Sequence, residues 1–221
     1  MRRWRRFRDR ADAGAVLADA VLAEVPVDPL HIGDHPVVLG LPRGGVPVAA
    51  VVASRVGGAL DLLAVRKIGA PDHHELAIGA VASGGLVVLN VDVIAHLGVT
   101  AAALERRTVI ARQELADQER RLRGGRPLPI LAGRTVIVVD DGLATGATMR
   151  VAVQAVRAAG PARVVVAVPV GSPEACAQLA DVADIVVCPR RPADFSAVGA
   201  WYADFSATTD DDVLRLLADP T

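Results

Sequence analysis

The run Thr135-Val136-Ile137-Val138-Val139 is β-branched throughout and leads directly into two acids, Asp140 and Asp141. A strand with no polar alternation needs apolar cover on both faces, as in a parallel sheet with helices on each side. Other short apolar runs repeat the pattern between stretches of helical periodicity, the mark of strand-helix-strand units. Strands are expected at Pro36 to Leu41, Leu60 to Val65, Ile78 to Ala82, Leu86 to Leu89, Val164 to Val168 and Ile185 to Val187. Helices are expected over 9–24, 47–55, a long exposed stretch within Asp92 to Arg123 that breaks at Gly124-Gly125, and Asp210 to Leu217 with Thr209 as its cap. The fold class is therefore α/β, a mainly parallel twisted sheet flanked by helices. At 221 residues the chain is expected to form one domain, its core at about 33–188.

Asp140 and Asp141 fall at the carboxyl end of their strand, the edge at which open α/β sheets bind ligands. Adjacent carboxylates repel a phosphate but suit a vicinal diol, whose hydroxyls donate to them, or a magnesium ion. Four residues on, Thr145-Gly146-Ala147-Thr148 opens a helical stretch, so free N–H groups and the helix dipole converge on one anion site. Gly142 and Gly146 permit the turn, and the threonine hydroxyls are available to cap the helix, with Thr145 as N-cap, or to bond phosphate oxygens. Val136 to Thr148 thus reads as a strand, turn and helix start for a phosphorylated ribose. Competing readings lack their partners: there is no Gly-x-x-x-x-Gly-Lys-Ser/Thr loop, no Gly-x-Gly-x-x-Gly, no His-Glu-x-x-His and no Gly-x-Ser-x-Gly.

Composition narrows the class further. Net charge is −1 and 52% of residues are apolar, so neither disorder nor a polyanion surface is required. Arg2, Arg3, Arg5, Arg6, Arg8 and Arg10 crowd the N-terminus around Trp4 and Phe7. We read them as a solvated end packed by two aromatics rather than a nucleic-acid or membrane contact. Asp9, Asp12, Asp19 and Glu24 interrupt any secretory segment and no apolar run spans a bilayer, so a soluble, cytoplasmic protein without a membrane partner is expected. Cys176 and Cys188 make neither a disulfide framework nor a metal spacing and read as apolar fillers.

The string Val138-Val139-Asp140-Asp141-Gly142-Leu143-Ala144-Thr145-Gly146-Ala147-Thr148 resembles the phosphoribosyl-pyrophosphate signature of type I phosphoribosyltransferases. The resemblance implies that Asp140 and Asp141 hold the ribose hydroxyls, with Mg2+ as cofactor, and that Ala144, Thr145, Gly146, Ala147 and Thr148 cradle the 5′-phosphate. Val37-Val38-Leu39-Gly40-Leu41-Pro42-Arg43-Gly44-Gly45 is similar to the family's pyrophosphate loop, which assigns Arg43, Gly44 and Gly45 to the leaving group. Phe7-Arg8-Asp9-Arg10 and Val168-Pro169-Val170-Gly171-Ser172-Pro173-Glu174 resemble a bacterial branch of the family whose acceptor is unassigned.

Lys67 is the sole lysine in a chain that otherwise uses arginine, and a compact point charge there suits a pyrophosphate contact. With Arg66 and Arg43 it is expected to stabilise the leaving group. In adenine-type relatives a similar Arg-Lys precedes a mobile loop with a glutamate, and Pro71 to Leu76 matches that loop, making Glu75 the candidate general base. Metal binding by His73, His74 and Glu75 lacks a third well-placed ligand. The hypoxanthine-guanine enzymes carry an aspartate where this chain has Ala144, so their mechanism is not carried over.

The segment 189–209 gathers Phe195, Trp201, Tyr202 and Phe205, most of the aromatic content. It is similar to the base-covering hood of 6-oxopurine enzymes, with Phe195, Trp201 and Tyr202 as base-stacking candidates. A small satellite core explains the same residues. The expected function is Mg2+-dependent transfer of phosphoribose from phosphoribosyl pyrophosphate to a nitrogenous acceptor, a nucleobase, as in nucleotide salvage. The alternative is a non-catalytic regulator that senses the donor. Homodimers are common among such relatives and among soluble proteins in general.

Overall fold

The computed structural model describes residues 5–25, 35–71 and 76–218. In chain order the elements are α1 (Arg10–Glu24), β1 (Val37–Gly40), α2 (Gly45–Val56), β2 (Ala59–Leu62), β3 (Val65–Gly69), β4 (Ala77–Ala82), β5 (Val87–Leu89), α3 (Val91–His96), α4 (Ala101–Arg123), β6 (Thr135–Val139), α5 (Ala147–Ala158), β7 (Arg163–Ala167), α6 (Pro173–Ala180), β8 (Ile185–Val187) and α7 (Asp210–Ala218). A five-stranded sheet runs in the order β2-β1-β6-β7-β8, and every pairing in it is parallel.

The β-branched run of β6 lies at the centre of this sheet and divides its side chains between two cores. Val136 and Val138 pack with Met149, Val153 and Val156 of α5 and Leu179 of α6. Ile137 and Val139 point the other way, onto Leu17 and Val21 of α1 and Val48 and Val52 of α2. Period-two alternation into two apolar layers is why the strand could carry no polar face. Cys176 and Cys188 are buried in the first of these cores, as expected of fillers.

One expectation is corrected. Leu60 to Val65 is not a single strand: the chain turns at Leu63-Ala64, and β3, β4 and β5 form a separate three-stranded antiparallel sheet. Connection length explains it, since Gly84 and Gly85, both at φ +84°, make a tight turn between β4 and β5. A parallel pairing would need a crossover of roughly a dozen residues.

The stretch 92–123 also divides. α3 ends before Gly98 (φ +61°), and α4 restarts behind Thr100, whose hydroxyl accepts from Ala103 N at 3.2 Å. α4 is not solvated all round, because Ala111, Leu115 and Leu122 pack with Ile68, Ile78 and Val81 of the small sheet and Val213 and Leu217 of α7. α7 begins as expected, with Thr209 and Asp212 capping each other: Asp212 N donates to Thr209 Oγ1 at 3.1 Å and Thr209 N to Asp212 Oδ2 at 2.9 Å.

The last residue of α4 pins the two sheets together. Arg123 has a side chain only 5% exposed, and its Nε, Nη1 and Nη2 donate to Asp61 Oδ1 (3.0 Å), Glu119 Oε1 (3.1 Å) and Leu62 O (2.6 Å). Glu119 also accepts from Ser83 Oγ at 2.6 Å, and Ser83 Oγ accepts from Ala64 N at 2.9 Å. The network grips the chain on both sides of the Leu63-Ala64 turn. Removing one partner of a buried, hydrogen-bonded ion pair costs about 3–5 kcal/mol because the other charge is left unpaired. Arg123→Ala should therefore lower unfolding stability by about that amount in urea titrations, whereas Arg123→Ala with Asp61→Leu should recover a large part of it.

Candidate functional site

The register of β1 on β6 places the two loops of interest side by side. Val37 pairs with Val136 and Gly40 with Val139, so both strands end at the same level, and Leu41 N donates to Val139 O at 2.8 Å. Leu41–Gly45, whose Pro42-Arg43 peptide is cis, therefore lies directly against Asp140 and Asp141. A Cβ on Gly44 would collide with Asp141 Oδ2, and one on Gly45 would stand 2.7 Å from Val139 O and 2.9 Å from Asp140 Cα. Both glycines are required by the acid pair beneath them, a reason additional to any ligand.

The acids are partly buried, and each is held by part of its carboxylate. Asp140 Oδ1 accepts from Asp141 N at 2.9 Å. Asp141 Oδ2 receives the Nε of Arg10 at 2.9 Å and its Nη2 at the same distance. Among the described residues no other side chain donates to them, which leaves Asp140 Oδ2 and Asp141 Oδ1 without a side-chain partner. Burial, and then the neighbouring Asp141 charge, push the Asp140 carboxyl up to about 8. Burial also raises Asp141, while the Arg10 guanidinium pulls it back down.

Beyond the acids the chain turns under two clamps. Gly142 lies beneath Val198, where a Cβ would meet Val198 Cγ1 at 2.5 Å. Leu143 N donates to Val170 O and Ser172 N to Leu143 O, each at 2.9 Å, and Ser172 Oγ donates to Ala144 O at 2.9 Å. The family-like stretch Val168 to Glu174 is thus the strap that fixes the loop. Gly146, not Thr145, caps α5: it stands at φ +75° and no side chain bonds the first turn. A left-handed cap favours glycine, so of the two roles open to Thr145, capping the helix is not the one it takes here. Ala144, Thr145, Ala147 and Thr148 are exposed around that uncapped turn. Its free N–H groups are the donors an anion needs.

The expected cations separate. Successive residues of a strand face opposite ways. Lys67 lines a cavity of about 400 Å3 shared with Ala147, Thr148, Arg150 and Gln154 of α5 and Asn90. Arg66, expected beside it on pyrophosphate, instead faces α4, where its Nε lies 2.7 Å from Glu114 Oε2. Arg43 is half exposed, with Nη1 3.3 Å from Asp210 Oδ1. The base candidate Glu75 lies outside the described residues, as do His73, His74 and Trp4.

Of the aromatic candidates, Tyr202 is corrected. Its ring is buried against Phe7 (centroids 5.4 Å) and Phe205 (4.9 Å), and its hydroxyl donates to Asp141 O at 2.5 Å. It props the site from below and presents no face to a base. Phe195 and Trp201 are partly buried against the same cluster of Phe7, Ala13, Val170 and Tyr202. The satellite-core reading accounts for this segment.

Sequence reasoning missed Arg10, Arg150 and Val198. Arg150 follows the signature by two residues on the opening turn of α5 and was within reach of helical spacing. Arg10 stands in the family-like string Phe7-Arg8-Asp9-Arg10, but nothing in that string assigns it to the acids. Among the described residues no cluster of three or more acid, histidine or cysteine side chains could cage a metal. Two carboxylates with one open oxygen each fit magnesium of the kind that keeps its waters and shares substrate oxygens.

The chain matches the family model described as the phosphoribosyl transferase domain over residues 31–200. It is 47% identical over 214 residues to two proteins of Mycobacterium tuberculosis, from strains CDC 1551 / Oshkosh and ATCC 25618 / H37Rv, both provisionally named phosphoribosyl transferases. Those alignments cover 96% of this chain and 46% of each relative, so the chain spans about half the length of the curated relatives it matches. The crystal structure of TT1426 from Thermus thermophilus is similar at 49% identity and a TM-score of 0.81, covering 96% of this chain and 97% of that one. The strand, acid pair and uncapped helix all fall inside the matched span, and the chain belongs to the phosphoribosyl transferase domain family.

Proposed function

We propose that this protein binds phosphoribosyl pyrophosphate at the carboxyl edge of β1 and β6 and transfers its phosphoribosyl group to a nitrogenous acceptor, a nucleobase, releasing pyrophosphate. The observation that carries the reading is the juxtaposition of three features: glycines pressed onto an acid pair, open carboxylate oxygens, and an uncapped helix start one turn away. Asp140 and Asp141 accept from the ribose hydroxyls. The first N–H groups of α5, with the Thr145 and Thr148 hydroxyls, hold the 5′-phosphate. The main chain of 43–45 meets the pyrophosphate, and Lys67, across the cavity from Thr148, supplies a point charge to it.

In the reaction the bond from the anomeric carbon to the pyrophosphate oxygen breaks and a bond to the acceptor nitrogen forms. Positive charge grows on the ring while negative charge grows on the leaving group, so catalysis depends on positioned donors and cations. Bound magnesium, held by Asp140 and Asp141 with the donor's own oxygens, would neutralise leaving-group charge. The acceptor's proton goes to a base, for which Glu75 is our candidate, since Ala144 offers none.

The test is incubation with phosphoribosyl pyrophosphate, magnesium and a panel of nucleobases, monitored by pyrophosphate release. Release with at least one base is expected. Tight donor binding without release from any acceptor would replace catalysis with sensing. Asp140→Asn with Asp141→Asn should abolish donor binding in calorimetry while circular dichroism stays that of the parent, and unchanged affinity would overturn the site assignment.

The raised Asp140 carboxyl yields a second expectation. Its ordinary value is 3.8 and the folded value about 8, so between these the unfolded chain releases the proton while the folded chain keeps it. Stability from this group is full below the lower value and is lost as pH rises through the upper one. Asp140→Asn should therefore unfold at a higher temperature than the parent at pH 8 and above, with the gain vanishing near pH 4, even as donor binding is lost.

A further inference from the structure

Arg10 is set apart from the other N-terminal arginines by how completely its guanidinium is used. Its side chain is 13% exposed and that of Asp141 14%. Nε and Nη2 both reach Asp141 Oδ2 at 2.9 Å, Nη1 donates to Ser206 O at 2.7 Å, and the plane lies over the Phe205 ring, 4.1 Å from its centroid. Ion pairing, a main-chain hydrogen bond and stacking together need a planar fork, which lysine cannot supply. The segment carrying Arg10 is itself tied down: Phe7 N donates to Trp201 O, Ala203 N to Phe7 O and Asp204 N to Arg8 O, each at 2.8 Å. Asp9 caps α1 by accepting from Asp12 N at 2.8 Å, fixing where Arg10 leaves the helix.

We propose that Arg10 is a positioning residue of the donor site: it takes Asp141 Oδ2 and so turns Oδ1 toward the ribose. This rests on the donor reading above. Asp141 stands between the Asp140 carboxyl and the Gly44 main chain, so its carboxylate has few orientations to choose from. Its carbonyl is already held by Tyr202 Oη. The one lateral partner of its carboxylate among the described residues is Arg10. The N-terminal segment, distant in sequence from the signature, is by this account part of the binding machinery. A cavity of about 570 Å3 lined by Arg10, Pro47, Asp204, Ser206 and Arg215 opens beside the guanidinium, leaving a route for a small cation if the side chain is removed.

The experiment is calorimetric titration of phosphoribosyl pyrophosphate with magnesium into the whole chain and its variants. Arg10→Ala should bind the donor about tenfold or more weakly, and Arg10→Lys should be intermediate, as expected for loss of a hydrogen bond to a charged group. Millimolar guanidinium chloride should restore part of the affinity of Arg10→Ala and leave the parent unchanged, which a merely structural role would not produce. Asp141→Asn alone should weaken binding, and adding Arg10→Ala to it should cost less than about twofold more, because the arginine acts through that acid. Parent-like affinity in both Arg10 variants, or losses that multiply in the double variant, would overturn the proposal. If Asp141→Asn binds the donor as the parent does, the donor reading itself fails, and that outcome is separate from any result at Arg10. Should Arg10→Ala not fold, Arg10→Lys and the lysine double variant decide the same question.

Discussion

Two adjacent acids at the end of a buried strand lose hydration and cannot both ionise freely, and the architecture around β6 is arranged to hold them there. Arg10 neutralises one and the main chain of Asp141 satisfies an oxygen of the other. Gly44 and Gly45 remove the Cβ atoms that would otherwise fill the acids' space. Tyr202 anchors the Asp141 carbonyl from beneath. These partners come from the N-terminal segment, the loop after β1 and the segment after β8, so the acid pair draws together parts of the chain far apart in sequence. On the proposed reading, hydroxyl donors or a cation bound there would offset the cost of burying the pair.

Around this fixed edge the small antiparallel sheet supplies what the parallel sheet cannot. Parallel strands end at one level and leave their loops open, whereas β3 carries Lys67 across to the opening turn of α5, closing one side of a cavity. The position of β3 depends in turn on α4, through Arg123 at the Leu63-Ala64 turn, the Arg66–Glu114 pair and Arg107 Nε on Gly69 O at 2.9 Å. Arg66 thus aligns the strand from outside while Lys67 faces in. Two neighbouring cations in the sequence have different work because a strand sends them to opposite faces.

How much of this was legible follows from which interactions are local. The strand Thr135–Val139, the Thr209–Asp212 cap and the Gly124 helix stop depend on residues within a few positions, and the sequence displayed them. The separate antiparallel sheet was signalled by Gly84-Gly85, whose short turn rules out a crossover, but the apolar runs alone looked alike. Tyr202 was misread because an aromatic beside a site can face the ligand or face away, and only the Phe7 contact decides. Arg10 pairs with an acid 131 positions distant, so the local string Phe7-Arg8-Asp9-Arg10 could not show what it binds.

The relatives fix the family, and the acceptor is the chemistry that the proposed donor edge does not specify. The decisive measurement at that edge is a crystal structure of the protein with phosphoribosyl pyrophosphate and magnesium. Ribose hydroxyls are expected on Asp140 and Asp141, with the 5′-phosphate on the N–H groups of 146–148 and the Arg10–Asp141 pair intact. A donor bound with its ribose away from both acids, or its 5′-phosphate in the cavity beside Arg10 and Arg215, would overturn the proposed site.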